Sequence, residues 1–297
     1  MSASQHSTSP PTNRQRLALV LSGGGASGIV QVPFLEELVR RGVRPDLIVG
    51  SSVGAVNGAF LALHPNDIDG LAELWMELRS TRLWHRNLLR IGRNLLTRGT
   101  SLYSNRFLRD LFKHHVTIDE VSATEIPMFI GTTSLSSGRK HVVSSGELLA
   151  SVMASIAVPG LFPPVRLEGD WCVDGGLSSG LDLETALFQG ATHTLAVDLG
   201  VQPSPYRPRG LVDLLMRSME IAVQERTKAE IDQFGSEVPT VIWRPGLRAA
   251  SFGSFDDVEE LYAAAKDMAP VMIDQALDAE GRWLPGIYEG VVPVAKV

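Results

Sequence analysis

The chain has 297 residues, 44% of them hydrophobic and 20% charged, with a formal net charge of −6 at neutral pH. This is the composition of a globular domain with enough apolar material for a large core, and the acidic balance argues against nucleic acid as the main partner. A single cysteine, Cys172, excludes an intrachain disulfide and a cysteine-rich metal site, and fits a reducing compartment.

Residues 1–16 are polar and rich in Ser, Thr and Pro, the pattern of a disordered tail with no apolar run of the signal-peptide kind. No stretch approaches the ~18 apolar residues of a membrane span, so the expectation is a cytoplasmic protein whose membrane contact, if any, is peripheral. Strand and helix signals interleave from Leu17 onward, which favours one α/β domain over 17–275, followed by a C-terminal extension, 276–297, that gives little signal.

The first ordered run, Leu17–Leu21, reads as a buried strand. It leads through Ser22-Gly23-Gly24-Gly25-Ala26-Ser27-Gly28 into a helix predicted over Ile29–Arg41. Consecutive glycines free the backbone to turn several N–H groups toward one point, and the helix adds its positive end, so this loop is an anion cradle. Gly23-x-Gly25-x-x-Gly28 also matches the dinucleotide-binding fingerprint. That chemistry needs an acid at the C-terminal end of the next strand. There the chain has Gly50-Ser51-Ser52-Val53-Gly54, while the nearest acid, Asp46, stands at the strand's start. An oxyanion cradle is therefore favoured over a nucleotide site.

Gly50-x-Ser52-x-Gly54 follows the apolar strand Asp46–Val49 and precedes a small-residue helix with Ala55, Gly58 and Ala59, the context a nucleophile elbow requires. Further along, 79–115 carries nine Arg or Lys against the single acid Asp110. With helical spacing, Trp84, Leu88, Ile91 and Leu95 share one face and Arg82, Arg86 and Arg93 the other, a pattern expected of a lid or of a helix lying on an anionic membrane surface. A packed surface helix with solvated arginines explains the same pattern. Strands are predicted over 126–133, 141–143, 171–174, 194–198 and 238–243, and helices over 147–156 and 211–234, the last amphipathic. The apolar, proline-rich loop Val158–Val165 is a candidate for holding an acyl chain.

A serine nucleophile needs a base within hydrogen-bond reach. Of the seven histidines, His193 has the Ser, Asp, His chain order of common hydrolases, yet it sits at the entry to its strand, the end opposite the expected site. Gly176-Leu177-Ser178-Ser179-Gly180 is a second literal Gly-x-Ser-x-Gly, but no small-residue helix follows it directly.

Taken together, Gly-Gly-Gly-x-x-Gly after the first strand, Gly-x-Ser-x-Gly after the second, and Asp174-Gly175-Gly176 resemble the signature blocks of the patatin-like phospholipases. Ala154–Val165, Leu102-Tyr103-Ser104 and 211–234 are similar to its supporting blocks. The resemblance implies a three-layer α/β/α fold with a mostly parallel sheet and a dyad of Ser52 with Asp174. It further implies an oxyanion hole at Gly24, Gly25 and Ala26 and a lipid or acyl-ester substrate; nothing in the sequence resembles a metal site, so no cofactor or metal is expected. A carboxylesterase or thioesterase on soluble acyl substrates, or a silent lipid-binding relative, remains open. Two positions depart from the family pattern: Ser27 stands where the glycine loop commonly carries Arg or Lys, and Leu177–Asp182 replaces the Asn and Pro often found after Asp-Gly-Gly.

Overall fold

A computed structural model of the chain describes residues 15–80, 99–115, 118–200, 206–208, 210–246 and 255–290. Most of the predicted tail and the amphipathic stretch around Trp84–Leu95 lie outside the described residues.

Nine strands form one sheet among the described residues: β1 Leu17–Leu21, β2 Leu47–Ser51, β3 Met128–Ser134, β4 Lys140–Val143, β5 Val165–Leu167, β6 Asp170–Asp174, β7 His193–Val197, β8 Thr240–Arg244 and β9 Gly286–Glu289. The order is β5-β6-β3-β2-β1-β7-β8-β9, with β4 also paired to β3. β3 through β9 along that path run parallel, and the pairs of β3 with β4, β3 with β6 and β5 with β6 are antiparallel. Helices α1 Gln31–Arg40, α2 Val53–Leu63, α3 Asp69–Ser80, α4 Arg106–His115, α5 Leu148–Ser155 and α8 Val258–Gln275 pack on one face, and α6 Leu183–Phe188 with α7 Leu211–Phe234 on the other.

Period-two alternation along the strands explains the layers. On β1, Leu19 and Leu21 face a large core shared with Phe34, Trp75 and Trp243, whereas Ala18 and Val20 face a smaller one with Leu181, Leu183 and Ala186. Because both faces are covered, β1 and β2 read as continuous apolar runs.

Several elements differ from the sequence reading. The predicted helix from Ile29 begins as a 3-10 turn over Gly25–Val30 and becomes α-helical only at Gln31. Helix α7 has the predicted bounds, but only Thr227 and Glu230 are buried on it, and Leu211 is 72% exposed, with Val212, Leu214 and Leu215 also exposed. The C-terminal stretch contributes β9, and Trp283 stacks edge-on against Trp243. Within the basic segment, α4 turns Leu108, Leu111 and Phe112 into the core, while Arg79 pairs with Glu259 and Arg109 with Glu147.

Candidate active site

β2 and α2 meet at Ser52, which has φ 54° and ψ −127°, a conformation that costs a non-glycine residue about 1–3 kcal/mol. Packing around the turn holds it there. A side chain on Gly54 would place Cβ 2.2 Å from the Leu21 carbonyl oxygen, so α2 can lie against β1 only with glycine at that position. The Ser52 N–H donates to Ser155 Oγ at 2.9 Å, and that hydroxyl donates in turn to the Gly131 carbonyl at 2.6 Å. Ser155, fully buried at the end of α5, thus ties the elbow to β3.

Strand register brings Asp174 to Ser52. Ile130 and Gly131 pair with both β2 and β4, whereas Thr132 and Thr133 pair with both β4 and β6. A residue has only two sheet edges, so β2 and β6 share one edge of β3 end to end, meeting head-on. Ser51 is opposite Gly131 and Asp174 opposite Thr132. Across the junction Ser52 Oγ donates to Asp174 Oδ2 at 2.7 Å. Asp174 Oδ1 accepts from the Gly176 N–H at 2.8 Å, and Thr133 Oγ1 donates to the Asp174 carbonyl at 2.8 Å. Gly175 fits this corner because a Cβ there would lie 2.2 Å from the Gly131 carbonyl oxygen. Burial drives the Asp174 carboxyl up to about 6, against the lowering effect of its bonds from Ser52 and Gly176. A carboxylate of raised basicity bonded to a serine hydroxyl can act as that serine's base.

The glycine loop runs beside Ser52: a Cβ on Gly23 would lie 2.9 Å from Ser52 Cβ. The 3-10 turn starts at Gly25, so its first N–H groups, those of Gly25 and Ala26, have no partner within the turn. A buried polar chain fixes the loop. Gln31 Nε2 donates to the Ser22 carbonyl, Asn57 Nδ2 to the Gly28 carbonyl and to Gln31 Oε1, and the Trp75 indole to Asn57 Oδ1, all between 2.8 and 2.9 Å. Ser27, at the position where a cation is common, is buried, and its N–H donates to the Gly24 carbonyl at 3.2 Å.

A cavity of about 550 Å³ opens over Ser52, Asp174, Gly23, Gly24 and Gly176. Its far wall comes from α7, including Met216, Met219 and Lys228, and from the ends of β7, β8 and β9. There Arg244 bridges Asp198 at 3.0 Å and Glu289 at 3.2 Å.

The rival assignments separate in space. His193 lies opposite Leu17 at the N-terminal edge of β1 and contacts Thr192 Oγ1, about 16 Å of strand away from the loop edge. No histidine lines the cavity among the described residues. Ser178 Oγ lies within hydrogen-bond distance of Thr133 Oγ1, at 2.9 Å, and of the carbonyls of Thr132 and Gly175, so it braces the Asp174 turn, and among the described residues no histidine or carboxylate is bonded to it. The end of β2 carries Ser51 and Ser52 where a nucleotide site would need an acid. Sequence reasoning missed Ser155 and the Gln31–Asn57–Trp75 chain, whose only signal was polar residues inside apolar helical runs. Among the described residues no cluster of three His, Cys, Asp or Glu is arranged to hold a metal ion, and no helix is long and apolar enough to cross a membrane.

A family model described as patatin-like phospholipase matches residues 19–187. The chain is 34% identical over 188 residues to the lysophospholipase nte1 of Aspergillus terreus, covering 62% of this chain and 12% of that protein. It is 29% identical over 188 residues to patatin-like phospholipase domain-containing protein 7 of Rattus norvegicus, covering 62% and 14%. The chain thus spans about an eighth of the length of these relatives. Among solved structures it is similar to VipD from Legionella pneumophila, with TM-score 0.43, 15% identity, and coverage of 88% of this chain and 67% of that one.

Proposed function

Because the chain belongs to the patatin-like phospholipase family, we propose that it is a serine lipid acyl hydrolase cleaving fatty acyl esters of phospholipids or lysophospholipids. The observation that carries this reading is the 2.7 Å bond from the Ser52 hydroxyl to a buried carboxylate of raised basicity, placed at a strained elbow facing a glycine loop. The relatives, a lysophospholipase and a patatin-like phospholipase domain-containing protein, support the choice of a lipid ester.

In this mechanism Asp174 takes the Ser52 proton as Oγ attacks the ester carbonyl carbon. The carbonyl oxygen, now an oxyanion, is held by the N–H groups of Gly24, Gly25 and Ala26, and the adjacent helix ends add positive potential. Collapse breaks the carbon–alkoxy bond, Asp174 protonates the leaving alcohol, and an acyl-Ser52 ester remains. Water then enters from the cavity and gives a proton to Asp174 as its oxygen adds to the acyl carbonyl carbon; collapse breaks the bond to Ser52 Oγ, Asp174 returns the proton to Oγ, and the fatty acid leaves. The basic stretch 79–115 supplies the contact with an anionic membrane surface.

Covalent labelling with a fluorophosphonate probe, mapped by mass spectrometry, tests the reading directly. Label on Ser52 is expected, and Ser52→Ala should lower turnover at least about 10³-fold, since only binding and oxyanion effects survive loss of a nucleophile. Label on Ser178 would overturn the assignment of Ser52 while leaving the hydrolase class intact, and no label on folded protein would refute the reading.

A further inference from the structure

We propose that the acyl chain of the ester lies in a small apolar slot that reaches Ser52 and that Asp174 does not line, so that substrates bind in one direction only. The inference rests on the hydrolase reading above and adds to it which half of the ester goes where.

Ser52 belongs to two cavities. Besides the large one shared with Asp174, a slot of about 70 Å³ that Asp174 does not line also reaches it, walled by Val56 of α2, Trp75 of α3, Leu108 and Phe112 of α4, and Phe162. Ser52 and Val158 are the residues common to both. The glycine loop divides in the same way: Gly23 and Gly24 line the large cavity, Gly25 and Ala26 the slot. The carbonyl carbon bonded to Ser52 Oγ would therefore sit between a large space that carries charged groups and a small one that carries none. The large cavity mixes apolar side chains, such as Leu177, Leu199, Met219 and Val223, with charged groups, among them Asp198, Lys228 and Arg244. Apart from Ser52, the slot is walled by apolar side chains and glycine, and the one ring nitrogen among them, the Trp75 indole N–H, is spent on Asn57.

Proton transfer decides the direction. The group that receives the Ser52 proton must pass it to the leaving oxygen, so the alcohol has to depart on the Asp174 side. Asp174 lines the large cavity and not the slot. The acyl chain is left with the slot, where no polar group competes for water and each buried methylene strengthens binding roughly fourfold. At about 70 Å³ the slot has room for on the order of half a dozen methylene-sized groups beyond the carbonyl.

The test is the ratio of kcat/KM on p-nitrophenyl hexanoate to that on the acetate, measured across the acetate, butyrate, hexanoate, octanoate and palmitate esters. In the wild-type chain the ratio should rise with each added pair of methylenes up to about hexanoate or octanoate and then flatten. Leu108→Trp, which fills the slot, should lower the hexanoate-to-acetate ratio at least about tenfold. Phe112→Ala, which lengthens the slot, should move the plateau to longer chains. Labelling by fluorophosphonate and an unchanged melting profile certify that each variant is folded with a working nucleophile, and Phe112→Ala decides the matter if Leu108→Trp does not fold. An unaltered chain-length profile in a folded, labelled variant overturns the slot while leaving the hydrolase intact. So does a variant whose preference shifts with the alcohol rather than the acyl group. An unlabelled wild-type protein inert on every ester overturns both.

Discussion

Asp174→Asn is the substitution whose consequences follow most directly from the geometry. The asparagine is isosteric: its amide oxygen can keep the Gly176 N–H bond, and its NH₂ can donate to Ser52 Oγ in place of the bond now running the other way. What changes is the charge. Burial raises this carboxyl from an ordinary 3.8 to about 6. At ~1.36 kcal/mol per pKa unit, holding it ionised costs the native state about 3 kcal/mol at neutral pH, and the neutral amide removes most of that. Asp174→Asn should therefore be inactive yet more stable by about 1–3 kcal/mol at about pH 7.5, a gain of roughly 2–4 °C in Tm per kcal/mol. The pH dependence has a definite sign. The unfolded carboxyl ionises near 3.8 and the native one near 6, so between these values the native state binds the extra proton. Wild-type stability consequently falls as pH rises through that window, the penalty is complete above it, and it is absent below it. The advantage of the variant should shrink as pH is lowered from about 7.5 toward 4. Urea unfolding followed by tryptophan fluorescence at several pH values measures this, and kcat/KM of the wild type should show an acidic limb near pH 6 from the same group. A variant less stable than wild type at neutral pH, or one whose stability difference ignores pH, would refute the reasoning.

Two further outcomes are expected. Ser155→Ala strips the buried Ser52 N–H and Gly131 carbonyl of their partner, at about 1–3 kcal/mol each, and should lower kcat about tenfold with KM little changed, while Ser155→Thr restores most of it; equal kcat in Ser155→Ala would remove Ser155 as a positioning residue. For the basic stretch, Arg86→Glu with Arg93→Glu should weaken sedimentation with anionic liposomes at low salt, and unchanged binding would dismiss the membrane contact.

Legibility of this molecule in its sequence tracks how local each constraint is. The elbow, the glycine loop and the Asp-Gly-Gly corner could be read because each is a backbone requirement met within a few residues. Gly50 and Gly54 stand where the turn and the crossing of β1 leave no space for a side chain. The pairing of Ser52 with Asp174 came from family resemblance alone. Its physical cause, two strands meeting head-on along one edge of β3, depends on the register of segments 122 residues apart. Ser155 escaped notice for the same reason: its role is to join two distant backbone groups. Helix α7 shows the converse, since its bounds follow from local propensity, whereas exposure of its leucines is set by what packs over the sheet. β9 is short and mostly exposed, so it carries no burial pattern to read.

The wall of the large cavity has a consequence for how this molecule can change. Ser52, the glycine loop and Asp174 all fall inside the matched stretch 19–187, but the opposite wall, from Asp198 through Met216, Lys228 and Arg244 to Glu289, is encoded after it. The proposed reacting groups and the far wall of the cavity are thus encoded in consecutive lengths of chain. On the hydrolase reading, substitutions at wall positions clear of the glycine loop can reshape the space for the departing group, so altered substrate preferences are open to this scaffold through its C-terminal third, within the limit set by contacts such as the Leu199 N–H bond to Ser22 Oγ.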